Sequence, residues 1–363
     1  MTAPPLAGPL AGLRVIELEA IGPVPYAAML LADLGADVVT VNRPGADLRG
    51  KRVSGRSRRV VELDLKTPEG LAAVRRLAAR ADVLLEGFRP GVLERLGLAP
   101  ADLLAAAPGL VVGRMTGWGQ DGPLAPAAGH DITYIALTGA LAAIGPAGGD
   151  PVPPLNLVGD FAGGALFLVV GVLAALQERQ RSGRGQVVDA AMVDGASHLM
   201  AMFWSLRAEG LWTNRRGANM LDGGAPYYGT YRCACGGHVA IGPIEPKFWA
   251  EFVAGAGVDP ALAARRDDPA AWPALRAEIA ARIGARRRDD WAAVFAGSDA
   301  CVAPVLALDE VPAHPHMAAR GVIVEHDGAL QPAPAPRFSR STPAAPRSPE
   351  TVAPAAVLAG WGG

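Results

Sequence analysis

The stretch LRVIELEAIGPVPYAAMLLADLGADVVTV, residues 13–41, decides the fold class. Leu13–Leu18 alternates apolar and polar residues as a half-buried strand does, and Asp37–Val41 reads as a second strand. Between them, Pro25–Leu34 is typical of an apolar helix, with a proline near its start and Gly35 after its end. A strand, a helix and a strand in this order predict a βαβ unit with parallel strands and a right-handed crossover.

The same alternation continues along the next seventy or so residues. Further strands are predicted at Val60–Leu65, Val83–Leu85 and Leu110–Arg114, with a helix at Pro68–Ala79. The sequence therefore predicts an α/β protein whose large domain is a doubly wound, Rossmann-like parallel sheet. In such folds ligands bind outside the carboxyl ends of the strands.

The rest of the chain suggests a second, smaller domain. From His130 to about Trp212 the pattern is helical, broken by a strand at Gln186–Ala190, and after Thr213 it becomes polar and rich in glycine. Short strands and helices then follow, and Pro332–Ala353 is a Pro/Ala-rich segment that we expect to be extended on a surface. The expected organisation is a large α/β domain at residues 1–212, completed by 321–363, a linker at 213–229 and a smaller α+β domain at 230–320.

Composition excludes several classes of protein. Half of the 363 residues are hydrophobic and 19% are charged, which excludes a disordered chain, and a net charge of −1 gives no global field for nucleic acid. Cys233, Cys235 and Cys301 lack the spacing of a zinc or redox site, so we expect reduced thiols, no metal and a cytoplasmic location. The N-terminus has no signal-peptide pattern. The longest uncharged apolar run, Phe161–Gln177, is expected to be a buried helix rather than a membrane span.

Basic residues are concentrated between positions 43 and 59, against one acid, Asp47. They are Arg43, Arg49, Lys51, Arg52, Arg56, Arg58 and Arg59. In a chain of nearly zero net charge such a cluster suits a phosphate-bearing ligand, although a solvated loop explains it equally well. The segment from Gly45 to Lys51 also resembles a Walker A motif, but Arg52 stands where a magnesium-binding Ser or Thr would be, so a P-loop is not expected.

Three side chains are candidates for acid–base chemistry. His130 begins a predicted helix, where the positive end of the dipole favours a neutral imidazole that can act as a base. Asp160 precedes the apolar run, and burial there would raise its pKa and make it a proton donor. Glu245 is held rigidly before Pro246. Helix capping is the alternative for each of the three.

A set of motifs, in this order, resembles the family III CoA transferases from about residue 10 to 250. They are GLRVIEL (12–18), LLADLGADVVTVNRPG (30–45), LDLK (63–66), LLEGFRPGVLERLGL (84–98), MTGWGQDGP (115–123), AGHDITYIALTGAL (128–141), NLVGDFAGG (156–164) and GRGQVVDAAMVDG (183–195). Further similarity extends through SDACVAPVL and PAPRFSR. The residues Glu19, Asn42 and Pro243 differ from those usual in the family at these positions.

The resemblance implies a racemase that interconverts (R)- and (S)-2-methylacyl-CoA thioesters through an enolate. His130 in GHD and Glu245 in IEP are similar to the racemases of the family. By this resemblance His130 moves the proton on the (S) face and Asp160 on the (R) face, while Glu245 and Asp131 orient the imidazole. The alternative is a CoA transferase that moves CoA between carboxylic acids through an acyl-Asp160 intermediate.

The resemblance also implies a CoA-binding set, with CoA as the carrier part of the substrate and neither a prosthetic group nor a metal. Its members are Arg43, Leu63, Asp64, Leu65, Lys66, Gly87, Phe88, Arg89, Arg95, Gly129, Ile132, Thr133 and Tyr134. Members of the family are interlocked homodimers, so we expect a homodimer whose active site combines the large domain of one subunit with the small domain of the other. Nucleic acid and membrane are not expected partners.

Overall fold

The computed structural model describes residues 7–46 and 52–362. In chain order its strands are β1 (Arg14–Leu18), β2 (Asp37–Asn42), β3 (Arg58–Glu62), β4 (Val83–Glu86), β5 (Val111–Thr116), β6 (Val187–Ala191), β7 (Gly229–Arg232), β8 (His238–Ile241), β9 (Val302–Pro304), β10 (Ile323–His326), β11 (Ala329–Pro332) and β12 (Glu350–Thr351). Its α-helices are α1 (Pro23–Asp33), α2 (Pro68–Ala78), α3 (Val92–Arg95), α4 (Pro100–Ala106), α5 (Asp131–Ala136), α6 (Ala140–Ala143), α7 (Phe167–Ser182), α8 (Met192–Leu199), α9 (Ala201–Ala208), α10 (Pro246–Ala256), α11 (Pro260–Ala263), α12 (Trp272–Gly284), α13 (Arg288–Val294), α14 (Pro315–Ala319) and α15 (Pro354–Gly360). A π-helix at Leu157–Leu166 precedes α7, and 3₁₀ turns lie at Pro269–Ala271 and Val311–Ala313.

The chain divides into two compact units whose limits differ from the expected domains. The first contains Met1–Thr138, Pro154–Met200 and Pro315–Gly363, and the second contains Gly139–Pro153 and Ala201–His314. The expected linker at residues 213–229 is part of the second unit, because side chains tie its turns together. Asn219 Oδ1 accepts the Thr213 N–H (2.7 Å), and Asp222 Oδ2 accepts the Gly217 N–H (2.9 Å). Glycine-rich sequence thus marks tight turns here, not a flexible connection.

The first unit is built on a parallel sheet, as expected. Among the described residues seven strands lie in the order β12-β3-β2-β1-β4-β5-β6, and every neighbouring pair is parallel. The strand predicted at Val60–Leu65 is shifted to Arg58–Glu62, and residues 63–66 form the turn before α2. From β1 the chain adds β2 and β3 on one side of the sheet and then returns to add β4, β5 and β6 on the other side, so the strand order reverses between β1 and β4. The carboxyl ends of these two strands therefore flank the crevice where open α/β sheets bind ligands.

Helices cover both faces of this sheet, which explains why its strands are apolar on both sides. Val15 of β1 packs with α1 and α7, whereas its neighbour Ile16 packs with α2 and α15 on the opposite face. Successive side chains of a strand point to opposite faces, so both residues are fully buried. The sheet is thus a rigid frame for the loops at its carboxyl edge.

The π-helix and α7 form one continuous apolar helix, Leu157–Ser182, of 26 residues. Leu168 and Val172 are buried against the sheet, but Val170 is 65% exposed and Leu166 45% exposed. The expectation of a buried helix is therefore wrong for one of its faces. By length and composition alone this helix could cross a membrane, since its most apolar 18-residue window has a mean hydropathy of 2.1, a test that core helices of soluble proteins also pass.

The C-terminal segment is more ordered than the expected extended tail. Residues 333–349 lack regular secondary structure, but β12 then pairs with β3 at the edge of the sheet, and α15 packs against α2. The Trp361 indole N–H donates to Asp37 Oδ2 (2.8 Å). A strand of two residues has no detectable hydrophobic period, so the sequence could not predict β12.

The second unit has α+β character, as expected. β7, β8 and β9 form a three-stranded antiparallel sheet, and α10, α12 and α13 pack their apolar faces around it. Trp249, Phe252 and Trp291 are buried in this core. The unit therefore has a hydrophobic core of its own.

Candidate active site

A cavity of about 500 Å³ opens in the first unit at the carboxyl edge of the sheet. The segments that follow β1, β4 and β5 form part of its wall: Ile21–Val24, Gly87–Pro90 and Gly117–Trp118. Its place between β1 and β4 is the one that the strand order favours for ligand binding. The remaining wall brings together His130 and Asp160.

His130 is the residue before α5 and is exposed toward the cavity. Its backbone is extended, and its N–H donates to Thr133 Oγ1 (3.0 Å), which ties it to the first turn of the helix. Thr133, expected in the CoA-binding set, thus uses its hydroxyl to fix the helix start. Ile132, from the same set, is exposed on α5 and lies outside the cavity lining.

Asp160 lies in the first turn of the π-helix and is partly buried. Its Oδ2 accepts a hydrogen bond from Asn156 Nδ2 (3.0 Å), and its own N–H donates to Asp131 Oδ2 (2.7 Å). The alternative interpretation, that Asp160 itself caps the helix, is therefore wrong. Asn156 is the residue before the helix, and Asp131 caps an N–H that the start of a π-helix leaves without a partner.

The pKa of Asp160 is raised above its ordinary value, chiefly because burial disfavours the charged carboxylate. The negative charge of Asp131 raises it further, while the hydrogen bond from Asn156 and the nearby His130 act in the opposite direction. Asp160 consequently retains its proton to a higher pH than an exposed aspartate does. A side chain in this state can serve as a general acid.

Two glycines allow the close approach of backbone and side chains around the cavity. Gly22 has a φ of +68°, and a methyl group on it would lie 2.9 Å from Asp160 Oδ2. A methyl group on Gly117 would come within 2.0 Å of the Tyr134 ring. Gly117, the first residue of the GWGQDG motif, is therefore needed for packing against Tyr134 at the cavity.

Tyr134 and Trp118 form an aromatic wall, with their rings edge to face at 4.8 Å between centroids. Burial raises the pKa of Tyr134, and so does the charge of Asp160, while Arg89 opposes them. Met115 and Met192 complete the apolar part of the wall. One polar edge with Arg89, His130 and Asp160 thus faces an apolar surface.

Asp131 does not occupy the place expected of it. It is 6% exposed, and its carboxylate turns toward the π-helix, where it accepts the N–H of Asp160. The expected role was to orient the imidazole of His130. The structure gives the carboxylate a different partner, because Asp131 is the first residue of α5 and the two helices pack together there.

The other members of the expected CoA-binding set fall into two groups. Gly87, Phe88, Arg89, Gly129 and Tyr134 line the cavity. Arg43 follows β2, residues 63–66 (Leu63, Asp64, Leu65, Lys66) follow β3, and Arg95 ends α3, all on the first unit but outside the cavity lining. Arg43, Asp64, Lys66 and Arg95 are exposed. The carboxyl ends of β2 and β3 are neighbours in the sheet, so the segments after them adjoin each other.

Three of the seven members of the basic cluster pair with carboxylates of the fold. Arg56 is 2% exposed and pairs with Asp33 (Nε–Oδ1, 2.9 Å), Arg58 pairs with buried Glu17, and Arg59 pairs with Asp37. The interpretation of these three as phosphate ligands is wrong, because each guanidinium already has a carboxylate. Arg43 and Arg52 remain exposed, whereas Asp47, Arg49 and Lys51 lie outside the described residues.

Sequence reasoning missed a buried network beneath the Gly87–Arg89 loop. Glu86 is fully buried, accepts the Phe88 N–H at Oε2 (2.7 Å) and pairs with Arg114 Nε at Oε1 (2.7 Å). Burial raises the pKa of Glu86, and the contact with Arg114 opposes this. A charge at the end of an otherwise apolar strand, VLLE, is the signal that could have found it.

Asn156 was missed as well, although it stands four residues before Asp160, a helical spacing that places the two side chains on one face.

Glu245 lies in the second unit, where it is exposed and precedes α10. Two residues before Glu245, the carbonyl of Pro243 accepts a hydrogen bond from Arg266 Nη1 (3.4 Å). Among residues 7–46 and 52–362, no group of three or more His, Cys, Asp or Glu side chains could hold a metal ion.

Comparison with known proteins gives the family. Residues 10–356 match the profile of CoA-transferase family III. The chain belongs to this family. Within it, the chain is 45% identical over 338 residues to an alpha-methylacyl-CoA racemase from Mus musculus, which covers 93% of this chain and 88% of that protein. It is 44% identical, with the same coverage, to an alpha-methylacyl-CoA racemase from Homo sapiens.

A solved structure of the family has the same fold. The crystal structure of a CAIB/BAIF family protein from Brucella suis matches 98% of this chain and 100% of its own, with a TM-score of 0.82 and 29% sequence identity. The doubly wound sheet expected from the sequence is therefore confirmed both by the strand order and by a family member. Both racemases span nearly the whole of this family III chain, so the similarity includes both units.

Proposed function

We propose that this protein is a racemase that interconverts (R)- and (S)-2-methylacyl-CoA thioesters by moving one proton at the carbon next to the carbonyl group. The observation that carries the proposal is that His130 and Asp160 line a single cavity in a chain 45% identical to a racemase. Inversion at this carbon needs a base on one face and an acid on the other. An imidazole and a buried carboxyl group supply the two.

The reaction would run through an enolate. In one direction His130 removes the proton from the (S) face and protonated Asp160 delivers its proton to the (R) face, and the reverse direction exchanges the roles. The main-chain N–H groups at the start of α5, next to His130, are candidates for stabilising the enolate oxygen. Each turnover leaves His130 and Asp160 in exchanged protonation states. The next substrate molecule must therefore be the opposite epimer, or the two side chains must first exchange protons with water.

Racemisation and CoA transfer use the Asp160 carboxyl group in different ways. A transferase would use this carboxylate as a nucleophile that forms an acyl anhydride, which requires it to be ionised. A racemase uses the same carboxyl group as a proton donor in one direction, and burial raises its pKa above that of an exposed aspartate. The alternative of a transferase that works through acyl-Asp160 keeps the same cavity, and it is separated from racemisation by the experiment below.

CoA would lie along the carboxyl edge of the sheet. Arg89 at the cavity, together with Arg43 and Arg95, supplies exposed guanidinium groups for its phosphates, and residues 63–66 would contact its nucleotide. Contacts far from the reacting carbon can then be used to orient it between the two proton-transfer groups. We propose no prosthetic group and no metal for this reaction.

We also propose a homodimer, which the exposed apolar surface supports. Val170 on α7 is 65% exposed, and Trp204 on α9, a helix without a buried residue, is 64% exposed. Large apolar side chains in this state mark surfaces that another chain covers. In such a dimer Glu245 would reach His130 of the partner subunit and orient its imidazole.

We expect the dimer to work in the cytoplasm, which fits its three free cysteines, without nucleic acid or membrane as a partner.

Solvent exchange tests the reaction directly. Incubation of the protein with (R)-2-methylacyl-CoA in deuterium oxide should place deuterium at C2 and give both epimers, with no acceptor acid present. A second incubation adds an unrelated carboxylic acid. A new thioester of that acid, without exchange at C2, would establish the transferase and reject the racemase. Repeating the exchange with branched fatty acyl, sterol side-chain and 2-arylpropionyl thioesters defines the acyl group.

A further inference from the structure

One buried residue, Asp131, lies next to both proton-transfer groups. It follows His130 directly in the chain, and its Oδ2 accepts the main-chain N–H of Asp160 (2.7 Å). We propose that Asp131 is a positioning residue that holds the main chain of Asp160 and, through its charge, sets the pH range in which Asp160 and His130 share the one proton that the reaction moves. This inference rests on the proposed racemase function.

The Asp131 carboxylate is closely packed. A methyl group on Gly159 would lie 2.5 Å from its Oδ2, so the carboxylate lies directly against the backbone of the π-helix. An acceptor at the start of a helix of 26 residues also meets the positive end of the helix dipole, which stabilises a carboxylate there. The Asp131 carboxylate is therefore held against the start of the π-helix that carries Asp160.

The charge of Asp131 is poorly screened. Its Oδ1 is buried without a hydrogen-bond partner among the residues that the structure describes. In such surroundings a charge acts strongly on its neighbours, and Asp131 raises the pKa of Asp160. The other titratable groups that face Asp160 are His130 and Tyr134, and Arg89 acts on Tyr134 from the loop after β4.

The linkage has a consequence for the pH dependence of the reaction. The active enzyme carries one proton on the His130–Asp160 pair, so kcat/KM follows a bell whose optimum lies midway between the two apparent pKa values of the pair. The negative charge of Asp131 favours the protonated form of Asp160. Removing this charge lowers the pKa of Asp160, and the midpoint of the bell moves to lower pH with it. A residue that only filled space would leave the optimum in place.

The test compares Asp131→Asn, which keeps an oxygen to accept the Asp160 N–H, with Asp131→Ala, which does not. Asp102→Asn on α4 is the control, since it removes the same charge from an exposed position away from the cavity. Deuterium exchange at C2 is measured as a function of pH. We expect the optimum of Asp131→Asn to fall by roughly half a pH unit, whereas Asp131→Ala also loses about tenfold or more at its optimum. An unmoved optimum in Asp131→Asn overturns the inference.

A second readout does not depend on activity. The ¹³C signal of the Asp160 carboxyl group, assigned by its loss in Asp160→Asn, is titrated in the wild-type protein and in Asp131→Asn. A lower midpoint in the variant supports the inference, and identical midpoints overturn it. If the wild-type protein exchanges no deuterium, the proposed function fails, yet this titration still decides the role of Asp131.

Discussion

At the scale of single residues, the chemistry depends on how one carboxyl group is surrounded. Asp160 is partly buried, receives one hydrogen bond from Asn156 and lies close to the charge of Asp131. Burial and Asp131 favour its acid form, and Asn156 favours its carboxylate. The balance keeps a titratable proton at the cavity, which is what a group that must act as acid and as base requires.

Removing either proton-transfer group should slow turnover strongly. Asp160→Ala and His130→Ala should each lower kcat by roughly 10²–10⁴, because a general acid or base contributes about this much. Binding of CoA should stay within about threefold, since the arginine side chains are untouched. Steady-state exchange kinetics and calorimetric titration with CoA measure the two effects. Full activity of His130→Ala would contradict the two-base mechanism.

Loss of the Asn156 hydrogen bond should have the opposite effect to loss of the Asp131 charge. Asn156 Nδ2 stabilises the carboxylate of Asp160, so Asn156→Ala should raise the pKa of Asp160 further. The optimum of the kcat/KM profile should then move to higher pH. The exchange assay at a series of pH values measures it, and a shift to lower pH would mean that the hydrogen bond acts on the protonated acid.

At the scale of elements, the π-helix is what presents Asp160. Its first turn has N–H groups that an α-helix of the same sequence would arrange differently, and Asp131 of α5 binds one of them. Gly159, Gly163 and Gly164 are buried where α8, α5 and α1 pack against this helix. Side chains larger than hydrogen at these positions would separate the elements that form the site.

Gly159→Ala should therefore damage both the fold and the site. The added methyl group would lie 2.5 Å from Asp131 Oδ2, and overpacking of this kind costs about 1–3 kcal/mol of stability. Thermal unfolding measures the stability, and C2 exchange measures the activity. Gly109→Ala is the matched control, since its methyl group would meet Arg179 Cδ at an ordinary 3.8 Å. Equal melting temperatures for the two variants would show that the π-helix can shift.

The segment between β2 and β3 should respond to mutation as a structural element. Arg56 is buried against Asp33, so Arg56→Ala leaves a buried carboxylate without its partner and should cost about 3–5 kcal/mol. Arg89→Ala, at the cavity, should instead raise KM with little loss of stability. Denaturant unfolding and exchange kinetics on both variants separate the effects. A large KM increase with unchanged stability in Arg56→Ala would restore its interpretation as a phosphate ligand.

At the scale of the whole molecule, the sequence predicts the sheet well because each strand and helix of the first βαβ unit carries its own period. Predictions that need contacts between distant residues fail. Arg56 is indistinguishable in sequence from Arg43, yet one meets Asp33 in the interior and the other is exposed. The positions of His130 and Asp160 were predictable from motifs, whereas the turning of Asp131 toward Asp160 depends on how two helices pack.

Mixed dimers test the sharing of the active site between subunits. His130→Ala and Glu245→Ala subunits, co-expressed with different tags, should form a mixed dimer that has one intact site and one doubly defective site. Purified mixed dimers should then recover up to about half of the wild-type exchange rate, because closed twofold symmetry gives each dimer two equivalent sites. Recovery no greater than that of the single variants would place both residues in the same subunit.

The pairing of β12 with β3 has a consequence for how this chain is made. Residues 59 and 60 emerge from the ribosome early, but the strand that covers them, and the indole that binds Asp37, are synthesised only after the entire second unit. During that interval β3 presents an unpaired backbone edge, which is the kind of surface that recruits other nascent chains. A chaperone that shields strand edges would act on this protein before its last helix has appeared.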